Sequence, residues 1–484
     1  MNAPVLRNYI NGQWVESATG KLQEQRNPAN LEQVTCRFQD SSRQEAAGAI
    51  DAAQAAHAHW SGLPAAQRAQ ILRAALANLS ARQEEIARII TLENGKTLRE
   101  SLGEINAALR EMDWQIAQGL RLAGQVLPSE NAGVFAYSLR QSLGVVSIIS
   151  PWNFPLNVAC RKCVPALMAG NTAVFKPASL TPHTGVAFVE AFAQAGLPPG
   201  VLNLVSGGGS TVGDELVVNA LVKAISFTGS TPVGMGIHAK AARTLARTQL
   251  EMGGKNPAVV LADADLDAAA TAIALAAYAC AGQWCTSTSR ALVEQSVAEP
   301  FTAKLLEKVA AIRAGNGLEP SASMGPVCGQ QQLTDIMRYI DLAQSQGAKL
   351  LAGGQRLTDH GRDRGCFIAP TVFGAVTPDM AIAREEIFGP VLAVMAVKDF
   401  DQAVSVANDV QFGLSSSIFT RSLDKALAFV QRSDVGLTHV NMPTAHKEPQ
   451  LPFGGIKESG VGLPEAGESG IEFFTRHKVV YIRA

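Results

Sequence analysis

The 484-residue sequence has no excess of charge of either sign, since 41 lysines and arginines balance 42 aspartates and glutamates. Recognition of phosphate backbones needs a basic surface, so this balance excludes a general nucleic-acid binder. Cysteines number only seven, scattered along the chain, which is too few for a disulfide scaffold. Their odd number leaves at least one free thiol, as is typical of a reducing cytosol. The eight histidines lack metal-ligand spacing, so no metal site is expected.

Long hydrophobic runs are absent as well. The most apolar helical stretch, 266–281, is alanine-rich and about 16 residues long, which is below the ~20 residues needed to cross a bilayer. Residues 1–20 contain no apolar segment like that of a signal peptide. We therefore expect a cytoplasmic protein without a membrane partner, in which 266–281 is a buried core helix. A hydrophobic share of 47% also excludes extended disorder.

The sequence does contain a repeated alternation of strands and helices. Residues 41–122 have apolar residues at helical spacing and predict several surface-covering helices. Two series of Val- and Ile-rich runs follow, separated by helical stretches, and the predicted strands are 145–149, 173–175, 201–205, 224–227, 258–261, 290–293, 391–397 and 416–420. Such a pattern favours parallel sheets covered on both faces. We therefore predict two doubly wound α/β domains with a cleft between them and a hinge at 253–255.

Three segments carry groups suited to carbonyl chemistry. Cys285 lies on a turn between the alanine-rich helix and a strand, where a thiol can be partly exposed and have a lowered pKa. Glu251 ends a strand beside two glycines and can act as a general base with a pKa raised by burial. Asn153 lies between two prolines and can donate a side-chain N–H to a developing oxyanion. Each residue also has a commoner structural explanation. Cys285 can be a small buried hydrophobe, Glu251 an exposed charge and Asn153 a turn-forming residue.

Three further segments suggest a nucleotide site. Lys176 ends a strand and would point into the crevice at the carboxyl edge of the sheet. The Gly-rich segment 226–234 joins a strand to a helix, whose N-terminus can approach phosphate, although it is neither GxGxxG nor a Walker loop. The pair Glu385–Glu386 precedes a strand, and a carboxylate there can bind ribose hydroxyls or can simply be exposed.

Together and in this order, the six segments resemble the aldehyde dehydrogenase superfamily over nearly the whole chain. The resemblance runs from Tyr9-Ile10-Asn11-Gly12 to the segment 452–460, Pro-Phe-Gly-Gly-Ile-Lys-Glu-Ser-Gly. The segments around Glu251, Cys285 and Phe388 are highly specific motifs of that family. Within it, the sequence resembles most the group of succinate-semialdehyde and 2-oxoglutarate-semialdehyde dehydrogenases.

The resemblance implies a covalent mechanism. Cys285 would attack the aldehyde carbon to give a thiohemiacetal, whose oxyanion the Asn153 side chain and the Cys285 backbone N–H would hold. Transfer of a hydride to a nicotinamide would leave a thioester, and Glu251 would activate the water that hydrolyses it. Family members that release the acyl group to coenzyme A generally lack this base, so release of a free carboxylic acid is expected.

The resemblance also implies a cofactor site. Lys176 and Glu386 would hold ribose, and Phe388 would pack near the nicotinamide. The cofactor-binding residues that the resemblance implies are Trp152, Lys176, Ser179, Gly229, Ser230, Gly234, Glu386 and Phe388. Relatives that prefer NAD often carry Glu where this sequence has Ser179. Because serine does not repel a 2′-phosphate, we expect NADP to be accepted and NAD also to be used.

For the substrate, the implied contacts are Arg161, Phe154 and Trp284. The semialdehyde dehydrogenases resemble this chain in having an Arg at the position of Arg161. A guanidinium there can bind a distal carboxylate bidentately. The alternative is an outward Arg on an amphipathic helix. Trp284 and the segment 440–444 depart from succinate-semialdehyde enzymes, which favours 2-oxoglutarate semialdehyde (2,5-dioxopentanoate) over succinate semialdehyde. Neutral aliphatic or aromatic aldehydes are a further alternative.

The family architecture predicts how the chain is divided. Residues 1–122 and 142–252, with 441–470 returning, would form the NAD(P)-binding domain, 253–440 the catalytic domain, and 123–141 with 471–484 an oligomerisation arm. Strands of the arm would pair across a subunit edge, so a homodimer or homotetramer is expected.

Two rival functions use the same scaffold: a non-catalytic binding protein, and a cofactor-free hydrolase that forms a thioester on the cysteine.

Overall fold

The computed structural model describes residues 3–483. Its strands are β1 Asn8–Ile10, β2 Gln13–Val15, β3 Leu22–Asn27, β4 Asn30–Gln39, β5 Val126–Leu127, β6 Val134–Ser142, β7 Val145–Ile149, β8 Thr172–Lys176, β9 Leu202–Leu204, β10 Val222–Thr228, β11 Arg247–Glu251, β12 Asn256–Val260, β13 Thr288–Glu294, β14 Lys349–Ala352, β15 Thr371–Gly374, β16 Val391–Val397, β17 Phe412–Gly413, β18 Ser415–Phe419, β19 Leu437–Val440, β20 Ile456–Lys457, β21 Gly460–Val461 and β22 Thr475–Arg483. Every strand predicted above is present, with ends that differ by at most two residues.

The helices alternate with these strands through most of the chain. They are α1 Arg43–Gly62, α2 Ala65–Ala81, α3 Gln83–Asn94, α4 Leu98–Leu120, α5 Pro155–Met168, α6 Pro182–Gln194, α7 Asp214–Val218, α8 Thr231–Ala241, α9 Leu266–Tyr278, α10 Ala298–Ala310, α11 Gln330–Ser345, α12 Ala381–Arg384, α13 Phe400–Asn408, α14 Leu423–Arg432 and α15 Gly467–Glu472. None of the helices within residues 3–483 is long and apolar enough to cross a membrane.

The first large sheet has the strand order β2-β1-β9-β8-β7-β10-β11-β21, in which β9, β8, β7, β10 and β11 are parallel. Alternate side chains of its strands face opposite layers, so Val146 and Phe175 pack with helices α2 to α6 while Val145 and Val174 pack with α1 and α7. The register pairs Ile149 with Lys176 and Thr228 with Glu251. The carboxyl ends of four strands therefore meet at one edge of the sheet.

The second large sheet has the order β14-β15-β16-β13-β12-β18-β19 and is parallel except for β14. The chain passes from the carboxyl end of β11 at Glu251 to the start of β12 at Asn256 in four residues. This short link sets the carboxyl edge of the first sheet against the amino edge of the second. The segments that precede β13 and β16 consequently face the ends of β7, β10 and β11, and the two predicted α/β units are confirmed.

A third, smaller sheet combines distant parts of the chain. Strand β22 pairs antiparallel with β6 from Thr475–Ser142 to Arg483–Val134, and β5 adds to the other side of β6. Strand β21, from the segment 441–470, pairs with β11 at the edge of the first sheet.

The alanine-rich helix ends earlier than predicted. Helix α9 stops at Tyr278, and Cys280, Ala281 and Gly282 follow with φ of 51°, 55° and 68° in the left-handed region. A Cβ on Gly282 would lie 2.1 Å from the carbonyl oxygen of Gly389, so only glycine permits this close approach. The expectation that Cys280 is helical is wrong, because the chain leaves the helix to bring the next turn against 388–390.

Candidate active site

Cys285 lies in the turn before β13, where two cavities meet. One cavity has a volume of about 280 Å³, the other about 250 Å³, and both are lined by Asn153, Thr228 and Cys285. The first also contains the predicted substrate residues Phe154, Arg161 and Trp284. The second contains Trp152, Gly229, Ser230, Glu386 and Phe388 of the predicted cofactor set. The structure therefore brings most of the predicted site residues together on the two sides of one thiol.

Cys285 is half-buried, whereas the other six cysteines are buried. Burial raises the pKa of the Cys285 thiol to about 12, with Arg161 opposing the shift and nearby carboxylates, Glu386 first, adding to it. The expected lowering of this pKa is wrong, since desolvation of the thiol outweighs the opposing effect of Arg161. Proton removal from Cys285 therefore needs a base inside the site.

Asn153 lies in the loop after β7, and its Nδ2 donates to the carbonyl oxygen of Gln283 at 3.0 Å. A buried ion pair fixes this loop: Lys96 Nζ donates to the Asn153 carbonyl at 2.6 Å and to Glu104 Oε2 at 2.8 Å. Glu104 Oε1 in turn accepts the backbone N–H of Leu156 at 2.9 Å. Asn153 is thus held by both prolines and by a charged pair from outside its own segment.

Glu251 is buried at the end of β11, beside Thr228 of β10. The backbone N–H of Gly455 donates to its Oε2 at 3.2 Å. Burial raises the pKa of Glu251 well above its usual range, and Glu465 adds to the rise. This raised pKa, which the sequence predicted from burial, makes Glu251 a stronger base than an exposed glutamate once it is ionised.

Arg161 faces the first cavity from α5 and is 5% exposed. The alternative of an outward-facing Arg161 is therefore wrong. Its Nε lies 3.5 Å from Glu111 Oε2 and its Nη1 lies 3.5 Å from Glu465 Oε2. Its guanidinium also lies 4.7 Å from the ring centre of Phe453. Arg161 is consequently enclosed by two carboxylates and one aromatic face.

The second cavity has an aromatic pair and a carboxylate at its wall. The rings of Trp152 and Phe388 meet edge to face at 5.4 Å, and Phe388 has a left-handed φ of 55°. Glu386 accepts the backbone N–H of Gly254 at 3.0 Å, and burial raises the pKa of Glu386 to about 7. The link between the two sheets thus holds this carboxylate in place.

Helix α8 begins at the second cavity. Ser230 is its N-cap residue but makes no side-chain cap hydrogen bond, so the Ser230 hydroxyl does not occupy the first-turn amides of α8. A Cβ on Gly229 would lie 2.4 Å from the Phe227 ring, and one on Gly234 would lie 2.3 Å from Met252 Sδ. A side chain at either position would therefore displace Phe227 or Met252. Gly234 itself does not line the cavity.

Lys176 and Ser179 lie outside the lining of the second cavity. Lys176 ends β8, and burial lowers the pKa of its ammonium to about 8. Its nearest acceptor is the Pro177 carbonyl at 3.4 Å, which leaves donor capacity free. Ser179 is half-buried in the turn that follows.

A model of the aldehyde dehydrogenase family matches residues 14–480. The chain belongs to the aldehyde dehydrogenase family. It is similar to a curated member of the family from Bacillus subtilis, alpha-ketoglutaric semialdehyde dehydrogenase, with 41% identity over 98% of each chain. It is also similar to the solved structure of an Escherichia coli NADP-dependent enzyme, with 34% identity and a TM-score of 0.95, covering 99% of this chain and 98% of the other. A second similar structure is the NAD-dependent aldehyde dehydrogenase of Sinorhizobium meliloti, with 36% identity and a TM-score of 0.96, covering 99% of this chain and 95% of the other.

Several residues of the candidate site were not singled out from the sequence: Lys96, Glu104, Glu111, Lys162, Lys447 and Glu465. The buried stripe of α4 includes both Glu104 and Glu111 among apolar residues at helical spacing, which is a signal for buried carboxylates. Lys447 lies in an irregular loop of mixed polarity, where no local pattern distinguishes it from a surface lysine.

Proposed function

We propose that this aldehyde dehydrogenase oxidises an aldehyde bearing a distal carboxylate to the free acid, with NADP or NAD as hydride acceptor. The observation that carries the proposal is the position of Cys285 between two cavities. One cavity offers cations, Arg161 and Lys447, among apolar walls, and the other offers a helix N-terminus and Glu386. A cofactor-free hydrolase would not need the second cavity.

The first step is attack by Cys285 on the aldehyde carbon. The thiol proton leaves to a base, for which Glu251 is the proposed group, and the C–S bond forms as the carbonyl oxygen becomes an oxyanion. An amide carries two N–H groups, so Asn153 retains one donor besides the one that binds the Gln283 carbonyl. That donor and the Cys285 backbone N–H are the proposed oxyanion contacts.

When bound, NAD(P) supplies a nicotinamide that accepts a hydride from the thiohemiacetal carbon. A thioester then remains on Cys285. Glu251 first releases to solvent the proton that it took from Cys285. It then takes a proton from water, the hydroxide adds to the thioester carbon, and the Cys285 thiolate leaves as the free acid forms. Burial of Glu251 supports this role, because a raised pKa strengthens the base.

The residues around the second cavity fit a dinucleotide. The first-turn amides of α8 can hold phosphate oxygens, Glu386 and Lys176 can bind ribose hydroxyls, and Trp152 and Phe388 flank the route to Cys285. Ser179 lies where a glutamate would repel a 2′-phosphate, so we propose that NADP is accepted and that NAD is also used.

For the substrate, we propose 2-oxoglutarate semialdehyde, with succinate semialdehyde as the second candidate. The cations in the first cavity and the activity named for the Bacillus relative support this choice. Neutral aldehydes are the alternative that the apolar walls favour, since Phe154, Trp284 and Phe453 also line this cavity.

The test is a panel of aldehydes assayed with NADP and with NAD by the near-ultraviolet absorbance of the reduced cofactor. We expect turnover of both semialdehydes, a lower KM for them than for butanal, and none with the Cys285→Ala variant. Ester hydrolysis without any reduced cofactor would favour the hydrolase, and binding without either reaction would favour a non-catalytic protein. If Arg161→Ala leaves the KM for both semialdehydes unchanged, Arg161 has no part in holding the carboxylate.

We also propose that the three-stranded sheet joins subunits into a homodimer or homotetramer. Several apolar side chains of this sheet are exposed in the single chain: Val126, Leu127, Phe135, Val479, Tyr481 and Ile482. Pairing across the sheet edge would cover them. Light scattering of the purified protein distinguishes the two assemblies, and a monomer would contradict both.

A cytoplasmic location is part of the same proposal. All seven cysteines are free thiols in the structure, a state that a reducing compartment maintains. Fractionation of cells that express the protein tests this assignment, and recovery in a membrane or exported fraction would contradict it.

A further inference from the structure

We propose that Lys447 is the specificity-determining residue for this reaction, binding the distal carboxylate of the substrate together with the Asn157 side-chain amide. The inference rests on the proposed function, because it assumes a carboxylate-bearing aldehyde. It assigns the carboxylate to a residue outside the sequence motifs, on the irregular segment between β19 and β20.

Lys447 reaches the first cavity from one side while α5 forms the other. Its Nζ donates to Asn157 Oδ1 at 2.9 Å and lies 3.7 Å from Glu111 Oε2. The Lys447 side chain is 22% exposed, compared with 5% for Arg161. Lys447 is thus the more accessible of the two cations that line the cavity.

Lys447 has the longest ion-pair distance among the cations behind the cavity, 3.7 Å to Glu111 Oε2. Arg161 lies between Glu111 and Glu465 at 3.5 Å from each. Lys162 also contacts Glu465 and is fully buried. Glu251 is a third carboxylate that acts on Arg161 and Lys162, whereas Lys447 shares Glu111 with Arg161. An anion entering the cavity would therefore meet in Lys447 the cation that is least firmly paired.

Asn157 supplies a second donor beside Lys447. Its Oδ1 accepts from Lys447 Nζ at 2.9 Å and from Arg161 Nη2 at 2.8 Å, which fixes the orientation of the amide. Its Nδ2 is buried and has no acceptor among residues 3–483. Buried donors are normally hydrogen-bonded. A carboxylate has two oxygens, one for the Lys447 ammonium and one for the Asn157 amide.

The remaining polar groups of the cavity disfavour other positions for the carboxylate. Glu100 accepts the backbone N–H of Cys280 at 2.8 Å, and Glu104 is paired with Lys96. Both are acceptors and would repel an anion. The rest of the wall is largely apolar, with the rings of Phe154 and Trp284 tilted by 45° and 5.0 Å apart between centroids. An anionic substrate end is therefore directed to Lys447 and its aldehyde end to Cys285.

The experiment compares Lys447→Met with the wild-type enzyme on succinate semialdehyde, 2-oxoglutarate semialdehyde and butanal. Loss of one charge-assisted hydrogen bond raises the KM for the semialdehydes by about 10- to 100-fold, with kcat within about threefold and a much smaller change in kcat/KM for butanal. Lys447→Arg should recover most of the semialdehyde KM. Asn157→Asp, which keeps Oδ1 and removes the donor, should raise the same KM. Lys398→Met, at an exposed lysine, is the matched control.

The outcomes separate the two proposals. A wild-type enzyme that prefers butanal over both semialdehydes contradicts the proposed substrate class. A wild-type enzyme that prefers the semialdehydes, with a Lys447→Met variant of unchanged KM, overturns the role of Lys447 and leaves the proposed function standing. Equal loss of kcat/KM on butanal and on the semialdehydes in Lys447→Met would show a structural role, which also overturns the assignment.

Discussion

The Asn256 side chain holds the turn that carries Cys285, since its Nδ2 donates to the Cys285 carbonyl oxygen at 2.8 Å. The same Nδ2 donates to the carbonyl of Ser287 at 2.8 Å, and Asn256 Oδ1 accepts the backbone N–H of Ser415 at 3.1 Å. Asn256 is the first residue of β12, so one amide joins the second sheet to the turn that carries Cys285.

The variant Asn256→Asp tests this relationship. A carboxylate in place of the amide would face two carbonyl oxygens and would lose the donor to Cys285, at a cost of about 1–3 kcal/mol in unfolding free energy. We expect kcat to fall by at least about tenfold while cofactor binding, measured by fluorescence quenching, is retained. Unchanged kcat would show that the turn holds its shape without Asn256.

The raised pKa of the Cys285 thiol predicts a pH-dependent reactivity. Because the thiolate reacts and the pKa lies at about 12, the thiolate fraction rises about tenfold per pH unit below that value. The rate of Cys285 alkylation by iodoacetamide should therefore rise with a slope near one between about pH 7 and 9 in the free enzyme. Mass spectrometry locates the adduct, Cys285→Ser is the control, and a plateau near neutral pH would contradict the prediction.

Glu251→Gln separates acylation from hydrolysis. Glutamine keeps the shape and removes the base, so hydrolysis of the thioester should slow by about 10²- to 10⁴-fold. If a second base deprotonates Cys285, we expect a burst of reduced cofactor equal to the enzyme concentration, and the acyl adduct in the intact mass. With Glu251 as the base for both steps, the burst itself is slowed. Full steady-state turnover in this variant would exclude Glu251 as the base for either step.

Ser179→Glu tests the choice of cofactor. A carboxylate at this position would repel the 2′-phosphate of NADP and bind the ribose hydroxyls of NAD. We expect the ratio of kcat/KM for NADP to that for NAD to fall by at least about tenfold, mainly through the KM for NADP. Ser179→Ala is the control for loss of the hydroxyl. A wild-type preference for NAD of a hundredfold or more would contradict the premise.

The sequence predicted the α/β series well because buried parallel strands leave a local mark. Each appears as a short Val- and Ile-rich run, such as Val145–Ile149, and its length hardly depends on distant contacts. The helix 266–281 was predicted three residues too long. Its last turn is locally helical in composition, but Cys280, Ala281 and Gly282 adopt left-handed φ in the structure, and Gly282 packs against Gly389.

By itself, the sequence determined which residues are proposed to carry the chemistry, since Cys285, Glu251 and Asn153 stand in motifs readable along the chain. Only the tertiary structure decided their electrostatics and the polar end of the substrate cavity. Desolvation raised the pKa of the Cys285 thiol, and residues far apart in sequence, Arg161, Glu465 and Lys447, became neighbours. Burial and charge pairing depend on what lies opposite in space, which local sequence does not encode.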